Sequence, residues 1–295
     1  MIPLPSTLRL RRGLAYMVLA AFFFSLMAAL VKLACRRLPP MEVVLARSLL
    51  SAALSLVLAV RAGAPLLGRR RRLLVARGLV GSIALALYFY ALAHMRLADA
   101  VTLQYTNPIL LALLAPVFLK EPTGRRVWLA VGIAFAGALL IVKPEGEVSL
   151  WPGLAAAGSA AGAAAAYALV RVLSATEHPL TIVVYFPFIS ALVSLPFVLA
   201  DVVRPAGWEW AALAGVAVTT TAAQVCLTWG LKLEPAARAT SVSYWAILFG
   251  AILGWVGFGE MPDTLAVAGG ALIVVATALV ARSSDGGRQE ITPQR

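Results

Sequence analysis

Two stretches of the chain resemble each other: residues 98–121, ADAVTLQYTNPILLALLAPVFLKE, and residues 237–260, ARATSVSYWAILFGAILGWVGFGE. The second stretch begins 139 positions after the first. Within the two stretches, this shift aligns Tyr105 with Tyr244 and Glu121 with Glu260. Outside them, it aligns Lys32 with Arg171 and Pro40 with Pro179. A constant shift over most of a chain indicates an internal duplication. The sequence therefore predicts two similar halves.

The composition excludes a water-soluble fold. Hydrophobic residues make up 61% of the 295 residues and charged residues 13%, and the mean hydropathy is +0.90. Soluble domains are roughly half apolar and a quarter charged. A helix needs about 20 mostly apolar residues to cross a hydrocarbon core of roughly 30 Å. Ten apolar runs are of this kind, and we number them spans 1 to 10: 13–34, 42–60, 73–93, 99–119, 126–143, 152–173, 180–200, 209–231, 237–258 and 263–281.

Each half contains five of these spans. Because five is an odd number, the second half must enter the membrane in the opposite orientation. We predict an all-α integral membrane protein of ten transmembrane helices, built as two inverted five-helix repeats at residues 13–145 and 152–283 and followed by a tail at 284–295. Inverted repeats are typical of transporters, in which a site near the bilayer midplane is exposed to each side in turn.

The positions of Lys and Arg indicate the orientation, because these residues resist translocation when they flank the cytoplasmic ends of spans. With the N-terminus inside, 18 of the 25 Lys and Arg residues, Arg77 among them, fall on the cytoplasmic side and 7 on the other. Both termini and the tail at 284–295 are therefore predicted to be cytoplasmic.

Several functional classes are disfavoured by what the sequence contains. The net charge of +12 is spread over loops and does not form a basic domain with stacking aromatics, so no nucleic-acid partner is expected. Two cysteines, Cys35 and Cys226, and two histidines, His94 and His178, do not form a metal-binding or cofactor-binding pattern. Neither an H-E-x-x-H nor a G-x-S-x-G motif occurs, and there is no phosphate-binding loop. We predict that the protein is not an enzyme and holds no cofactor or metal.

Several short segments carry a resemblance to a known family: PMEVVLAR at 40–47, LADA at 97–100, YTNP at 105–108, FLKEP at 118–122, GIAFAG at 132–137, LEPAARA at 233–239, Tyr244, and GEMP at 259–262. Their order and duplication resemble the ten-helix EamA-type branch of the drug/metabolite transporter superfamily over nearly the whole chain. The resemblance implies a carrier of the bacterial inner membrane, often an exporter of amino acids or related metabolites, with its site between the halves.

Polar side chains inside the spans are candidates for a substrate cavity, because burying such groups in a membrane is costly. Arg47 lies about five residues inside span 2. The other candidates are Tyr88 in span 3, Gln104, Tyr105 and Asn107 in span 4, Gln224 in span 8, and Tyr244 and Trp245 in span 9. Each has a structural alternative: amides and hydroxyls join neighbouring helices, and aromatics anchor spans at the interface.

Four charged residues at the ends of spans are candidates for gates. Lys32 and Arg171 are equivalent under the 139-residue shift, and so are Glu121 and Glu260. The alternative for Lys32 and Arg171 is that each side chain extends its charged group to the membrane interface, while its apolar carbon chain stays among apolar surroundings. The two glutamates follow the ends of spans 4 and 9, where a helix dipole disfavours a carboxylate, so each is expected to have a basic partner.

The function predicted from these features is secondary transport by alternating access, with export of amino acids or related small zwitterionic or anionic metabolites. A lipid-linked carrier flippase or a multidrug-type exporter is the alternative, although no Asp or Glu lies in the middle of a span to serve proton-coupled drug export. The expected partners are the solute and the lipid bilayer. The protein is predicted to be either a monomer or a homodimer formed through spans 5 and 10, which carry almost no interior polarity.

Overall fold

The computed structural model describes residues 6–94, 103–121, 123–142, 150–199, 203–258 and 264–282. These residues form helices joined by turns and loops, and they contain no strand. The helices are α1 Ser6–Ala34, α2 Pro40–Arg61, α3 Arg71–His94, α4 Asn107–Leu114, α5 Arg125–Val142, α6 Leu150–Leu173, α7 Pro179–Val198, α8 Gly207–Leu233, α9 Ala236–Ser241, α10 Trp245–Phe258 and α11 Thr264–Arg282. A π-helical segment, Ala115–Leu119, continues α4. A π segment is rare and often accompanies a functional site.

Among the described residues, six helices are long and apolar enough to cross a membrane: α1 from Arg12, α2, α3 as far as Ala91, α6, α7 and α8. Two shorter apolar helical segments, Asn107–Leu119 and Val267–Ala276, accompany them. Large apolar side chains cover the outside of the bundle; Leu67, Val117 and Leu192 are each more than 60% exposed. Such a surface suits lipid and is unsuited to water. The chain is therefore a multi-pass membrane protein.

The helices pack in four extensive pairs: α1 with α8, α3 with α6, α2 with α7, and α5 with α11. Small residues allow close approach in these pairs. A Cβ atom at Gly230 of α8 would lie 2.5 Å from the sulfur of Met17, and one at Gly137 of α5 would lie 2.6 Å from the carbonyl oxygen of Gly269. If each span of the first half is matched to the span five positions later, the pair of α1 with α8 becomes the pair of α6 with α3, so these two pairs exchange. The pair of α2 with α7 and the pair of α5 with α11 each map onto themselves.

Spans 4 and 9 are broken, whereas their apolar sequences predicted continuous helices. The breaks fall at Tyr105–Thr106 and at Val242–Tyr244, and under the 139-residue shift they overlap at Tyr105 and Tyr244. In span 4, Pro108 has no N–H to donate to the carbonyl of Gln104, and the side-chain amide of Asn107 donates to it instead, at 2.8 Å.

The break in span 9 contains no proline. Between α9 and α10 the backbone follows tighter i to i+3 hydrogen bonds, for example from the N–H of Ser243 to the carbonyl of Thr240 at 2.9 Å. The Thr240 and Ser241 hydroxyls also donate to carbonyls of α9, Thr240 to Ala236 at 3.0 Å and Ser241 to Arg238 at 2.8 Å. Such side-chain bonds compete with the regular helix ladder.

Candidate functional site

A narrow pocket with polar lining lies where α2, α7 and α8 meet. The partly open space between its walls is about 220 Å³, and the cavity volume itself is about 10 Å³, which is room for about one water molecule. We call it the arginine pocket. Its lining residues are Arg47, Ser51 and Ser55 from α2, Val183, Phe186 and Pro187 from α7, and Thr220, Thr221 and Gln224 from α8. Helix α2 belongs to the first half of the chain, and α7 and α8 to the second. The pocket therefore lies between the two halves.

A second arginine, Arg77 of α3, reaches the edge of this pocket. Its Nη2 atom donates a hydrogen bond of 2.9 Å to Oε1 of Gln224. The guanidinium carbons of Arg77 and Arg47 lie 4.3 and 5.3 Å from the centre of the Phe186 ring. Aromatic faces attract cations at such distances. Phe186 therefore contacts both positive charges.

Both arginines are almost completely buried, with 1% of Arg47 and 2% of Arg77 exposed. Their polar contacts are few: besides the bond to Gln224, Arg47 Nη2 lies 3.4 Å from the Ser48 hydroxyl. Nε of Arg47 and both Nε and Nη1 of Arg77 are buried without a hydrogen-bond partner. Within the described ranges neither guanidinium forms an ion pair. The site thus holds positive charge and free donors that an anion would satisfy.

The pocket also offers hydrogen-bond acceptors. Pro187 has no N–H, so the carbonyl of Val183, one turn earlier in α7, loses its regular helix donor. The hydroxyl of Thr220 is buried without a partner among the described residues. Acceptors beside free cationic donors allow the pocket to bind a group with N–H donors as well as an anion.

Two of the eight predicted cavity residues, Arg47 and Gln224, line the arginine pocket together. Gln104 joins two helices, because its Oε1 accepts from the Ser159 hydroxyl of α6 at 2.8 Å. Asn107 donates to the Gln104 carbonyl within span 4, and its Oδ1 is buried without a partner among the described residues. Tyr88 packs beside Phe89, with ring centres 6.4 Å apart, in a cluster with residues of α1, α2 and α8.

The remaining three predicted cavity residues lie at the two helix breaks. Tyr105 and Tyr244 face each other with ring centres 6.0 Å apart, and Phe135 of α5 lies 6.4 Å from Tyr244. Trp245 packs on Phe249, with ring centres 5.6 Å apart. The Tyr244 side chain is fully buried, and its hydroxyl has no hydrogen-bond partner among the described residues. Equivalent tyrosines therefore join the two breaks.

The structure brings together two of the four predicted gating residues. Nε of Arg171, near the end of α6, lies 2.7 Å from Oε1 of Glu121, which follows the π segment. Arg171 also donates to the carbonyls of Leu231 and Lys232 at the end of α8, and the N–H of Ala236 donates to Glu121. We call these contacts the Arg171 latch. Lys32 is exposed near the end of α1, and Glu260 lies outside the described residues.

A second latch, which the sequence reasoning missed, lies at the opposite end of α8. Arg37, in the loop after α1, donates from Nε to Oε1 of Glu209 at 2.8 Å and from Nη2 to the carbonyl of Arg204 at 2.7 Å. The contact with Glu209 raises the pKa of the Arg37 guanidinium above its ordinary value, mainly through the hydrogen bond. We call these contacts the Arg37 latch. Arg37 was counted only as a loop charge because its partner is 172 residues away.

Two further functional candidates were also missed. Arg77 is predicted only as a charge of the cytoplasmic side, and the structure buries its side chain inside the bundle. Its position, six residues after the start of α3 and among apolar residues, was the available signal. Glu234, between α8 and α9, is buried against Gly13 of α1 and lies 3.5 Å from Arg238. Burial raises the pKa of the Glu234 carboxyl to about 7, against the opposing charges of Arg238 and Arg171.

Known proteins with similar sequences are transporters. The pseudopaline exporter CntI of Pseudomonas aeruginosa is 39% identical over 282 residues, which cover 94% of this chain and 98% of that protein. A riboflavin transporter of Vibrio cholerae is 26% identical over 200 residues, or 67% of each chain. A solved crystal structure of a protein 21% identical shares the fold, with a TM-score of 0.78 over 95% of this chain and 99% of that one.

The profile of the EamA-like transporter family matches the chain twice, at residues 11–143 and again at 150–282. Together the two matches cover most of the sequence, with equivalent ends 139 positions apart. The chain belongs to the EamA-like transporter family.

Proposed function

We propose that the protein is a secondary transporter that exports small anionic or zwitterionic metabolites, amino acids and related compounds among them, by alternating access. The observation that carries this proposal is the arginine pocket, which contains a buried cationic side chain, hydroxyls and an amide and is built by both halves of the chain. Small-molecule sites are typically concave, with a few polar groups that converge on the ligand.

We further propose that the chain forms ten transmembrane helices as two inverted five-helix repeats. Three observations support this arrangement: the family profile matches twice, the helix pairs exchange or map onto themselves under the repeat, and the breaks in spans 4 and 9 overlap at the equivalent residues Tyr105 and Tyr244. Broken helices at corresponding positions of two halves are common at transporter sites.

The two latches suit alternating access. The Arg171 latch and the Arg37 latch lie at opposite ends of α8, which has 27 residues and therefore spans about 40 Å. In this proposal each latch closes one side of the molecule, and the halves rock about the arginine pocket as one latch opens. Lys32 and Glu260 are proposed to assist the same cycle on the side of the Arg37 latch.

Export from a bacterial cytoplasm is the proposed direction, supported by the similarity to an exporter that is 39% identical. With both termini cytoplasmic, cysteines introduced at the exposed positions Arg70 and Arg204 would react with a membrane-impermeant maleimide from opposite sides. The background would be Cys35→Ala with Cys226→Ala, because both native thiols are unpaired. Labelling of both positions from one side contradicts the proposed topology.

A multidrug-type exporter of cations is disfavoured because the pocket would repel a positively charged drug. A lipid-linked carrier flippase remains the alternative, since a phosphate-bearing headgroup would also suit arginines. Oligomeric state is proposed as monomer or as homodimer through α5 and α11, whose outward faces carry exposed apolar residues such as Leu129 and Val267.

The proposal is tested by reconstituting the purified protein in liposomes and measuring the export and uptake of a panel of labelled amino acids and organic anions. Each measurement is made with and without a pH gradient, beside protein-free liposomes. We expect at least one anionic or zwitterionic metabolite to move, and Arg47→Gln to reduce its flux. Movement of none of them, with scrambling of a labelled lipid phosphate instead, would establish the flippase alternative.

A further inference from the structure

We propose that the arginine pocket binds a solute that carries two carboxylates, one for Arg47 and one for Arg77, and that an α-amino group accompanies them. The inference rests on the transport function proposed above and narrows its substrate class from anions in general to amino dicarboxylates.

The first argument is the count of charges. Arg47 and Arg77 are both buried, and together they leave three guanidinium nitrogens without a hydrogen-bond partner. Within the described ranges no acidic side chain forms an ion pair with either. A buried charge is costly unless it is paired. A solute with a single carboxylate would compensate one guanidinium and leave the other unpaired, whereas two carboxylates compensate both.

The second argument is the distance between the two charges. Because both guanidinium carbons lie over the Phe186 ring, at 5.3 and 4.3 Å from its centre, they are no more than about 10 Å apart. This separation is short enough for one small molecule to reach both, in a conformation of the transport cycle in which the pocket is wider than in this structure. The guanidinium of Arg77 is also held in place, because Gln224 accepts a hydrogen bond from one of its N–H groups. Gly81, one turn along α3, leaves room for it, since a Cβ at Gly81 would lie 2.9 Å from Nη1.

The third argument concerns the amino group. Val183 and Thr220 both line the pocket; Pro187 deprives the Val183 carbonyl of its helix donor, and the Thr220 hydroxyl has no partner among the described residues. Both can accept a hydrogen bond from an ammonium group. Two cationic donors and two neutral acceptors match a molecule with two carboxylates and one amine.

The test is equilibrium binding to the purified full-length protein in detergent, and the change in the protein's tryptophan fluorescence measures binding. The probes are aspartate, glutamate and 2-aminoadipate. Each is compared with its own side-chain amide, and alanine, which has no second carboxylate, is a further reference. We expect at least one dicarboxylate to bind about tenfold or more tightly than its amide, because the amide leaves one guanidinium unpaired.

Variants assign the preference to the two arginines. Arg77→Gln and Arg47→Gln should each remove the difference between acid and amide, while Arg61→Gln, at the exposed end of α2, should retain it. If the glutamine variants do not fold, Arg77→Lys and Gly81→Ala preserve the charge and disturb only its placement, and they should reduce the difference. Equal binding of acid and amide, or binding of no dicarboxylate, overturns this inference. The transport proposal survives that result if the protein in liposomes still transports any member of the metabolite panel.

Discussion

At the scale of single residues, the unusual feature is charge removed from water. Arg47, Arg77 and Glu234 are each buried, and none has a full set of hydrogen bonds within the described part of the chain. Arg47 could be predicted from the sequence because its depth inside span 2 is evident. Arg77 and Glu234 could not be placed, because their burial depends on which helices cover them, and that depends on contacts between residues far apart in the chain.

Glu234 should make stability depend on pH. In the folded protein its carboxyl keeps a proton up to about pH 7, whereas a solvated glutamate loses it near 4.5. Folding therefore takes up a proton between these values, and the stability due to this group falls as the pH rises from about 4.5 to 7. Glu234→Gln, which stays neutral, should melt at a relatively higher temperature above pH 7. Thermal unfolding in detergent from pH 5 to 8 measures this, and parallel curves for the two proteins would contradict it.

Gln224 and Gln104 are predicted to differ in their effects, although both are glutamines inside spans. Gln224 lines the arginine pocket and accepts from Arg77, whereas Gln104 bonds Ser159 of α6. Gln224→Ala should raise the transport KM severalfold, and it should also lower the melting temperature, because it leaves another buried N–H of Arg77 unpaired. Gln104→Ala should leave the KM unchanged and lower the melting temperature slightly, because it removes one hydrogen bond, worth about 1 kcal/mol, while the Ser159 hydroxyl keeps the Ala84 carbonyl as an acceptor at 2.7 Å. The opposite pattern would move the site toward span 4.

At the scale of helices, apolar runs and loop charges predicted most elements closely. Spans 1 to 3 and 6 to 8 correspond to α1 to α3 and α6 to α8. The breaks in spans 4 and 9 were not predicted, because a break in a membrane helix depends on whether a neighbour satisfies the freed backbone groups. Pro108 was a visible signal for the first break. For the second, only Thr240 and Ser241 offered one, and threonine and serine are common in unbroken membrane helices.

The contact between α5 and α11 should depend on one glycine. A Cβ at Gly137 would come within 2.6 Å of a backbone oxygen, which is unable to move aside as a side chain can. Gly137→Ala should therefore destabilise the protein by about 1–3 kcal/mol, as overpacking does. Gly132→Ala in the same helix is the matched control, because nothing lies within 4 Å of its Cβ. Equal melting temperatures for the two variants would show that the helices separate without cost.

At the scale of the whole molecule, the two latches connect distant parts of the chain at opposite ends of the bundle. The Arg171 latch joins the ends of α4, α6 and α8, and the Arg37 latch joins the loop after α1 to the start of α8. The equivalence of the halves was visible in the sequence. The pairing of residues across each latch was not, because equivalent positions need not contact each other.

Breaking the Arg171 latch should impair transport more than folding. Arg171→Glu places two carboxylates together and should slow metabolite flux at least about twofold, because the side that this latch closes would stay open. Adding Glu121→Arg restores an opposite pair and should recover part of the flux, which liposome transport measures. The amount of folded protein, followed by gel filtration, serves as the control. Flux equal to that of the unaltered protein in Arg171→Glu would show that the latch has no part in the cycle.

The two buried arginines have a consequence for how a membrane voltage acts on the cycle. An elementary charge moved across 100 mV gains or loses about 2.3 kcal/mol. An empty arginine pocket carries two positive charges, so a cell interior at negative potential attracts it toward the cytoplasmic side. A pocket that holds the proposed amino dicarboxylate, whose two carboxylates and one ammonium group give one net negative charge, keeps one positive charge and feels about half of that force. The resting potential would therefore return empty carriers to the side where an exporter takes up its cargo, and it would oppose the outward turn of loaded carriers only about half as strongly.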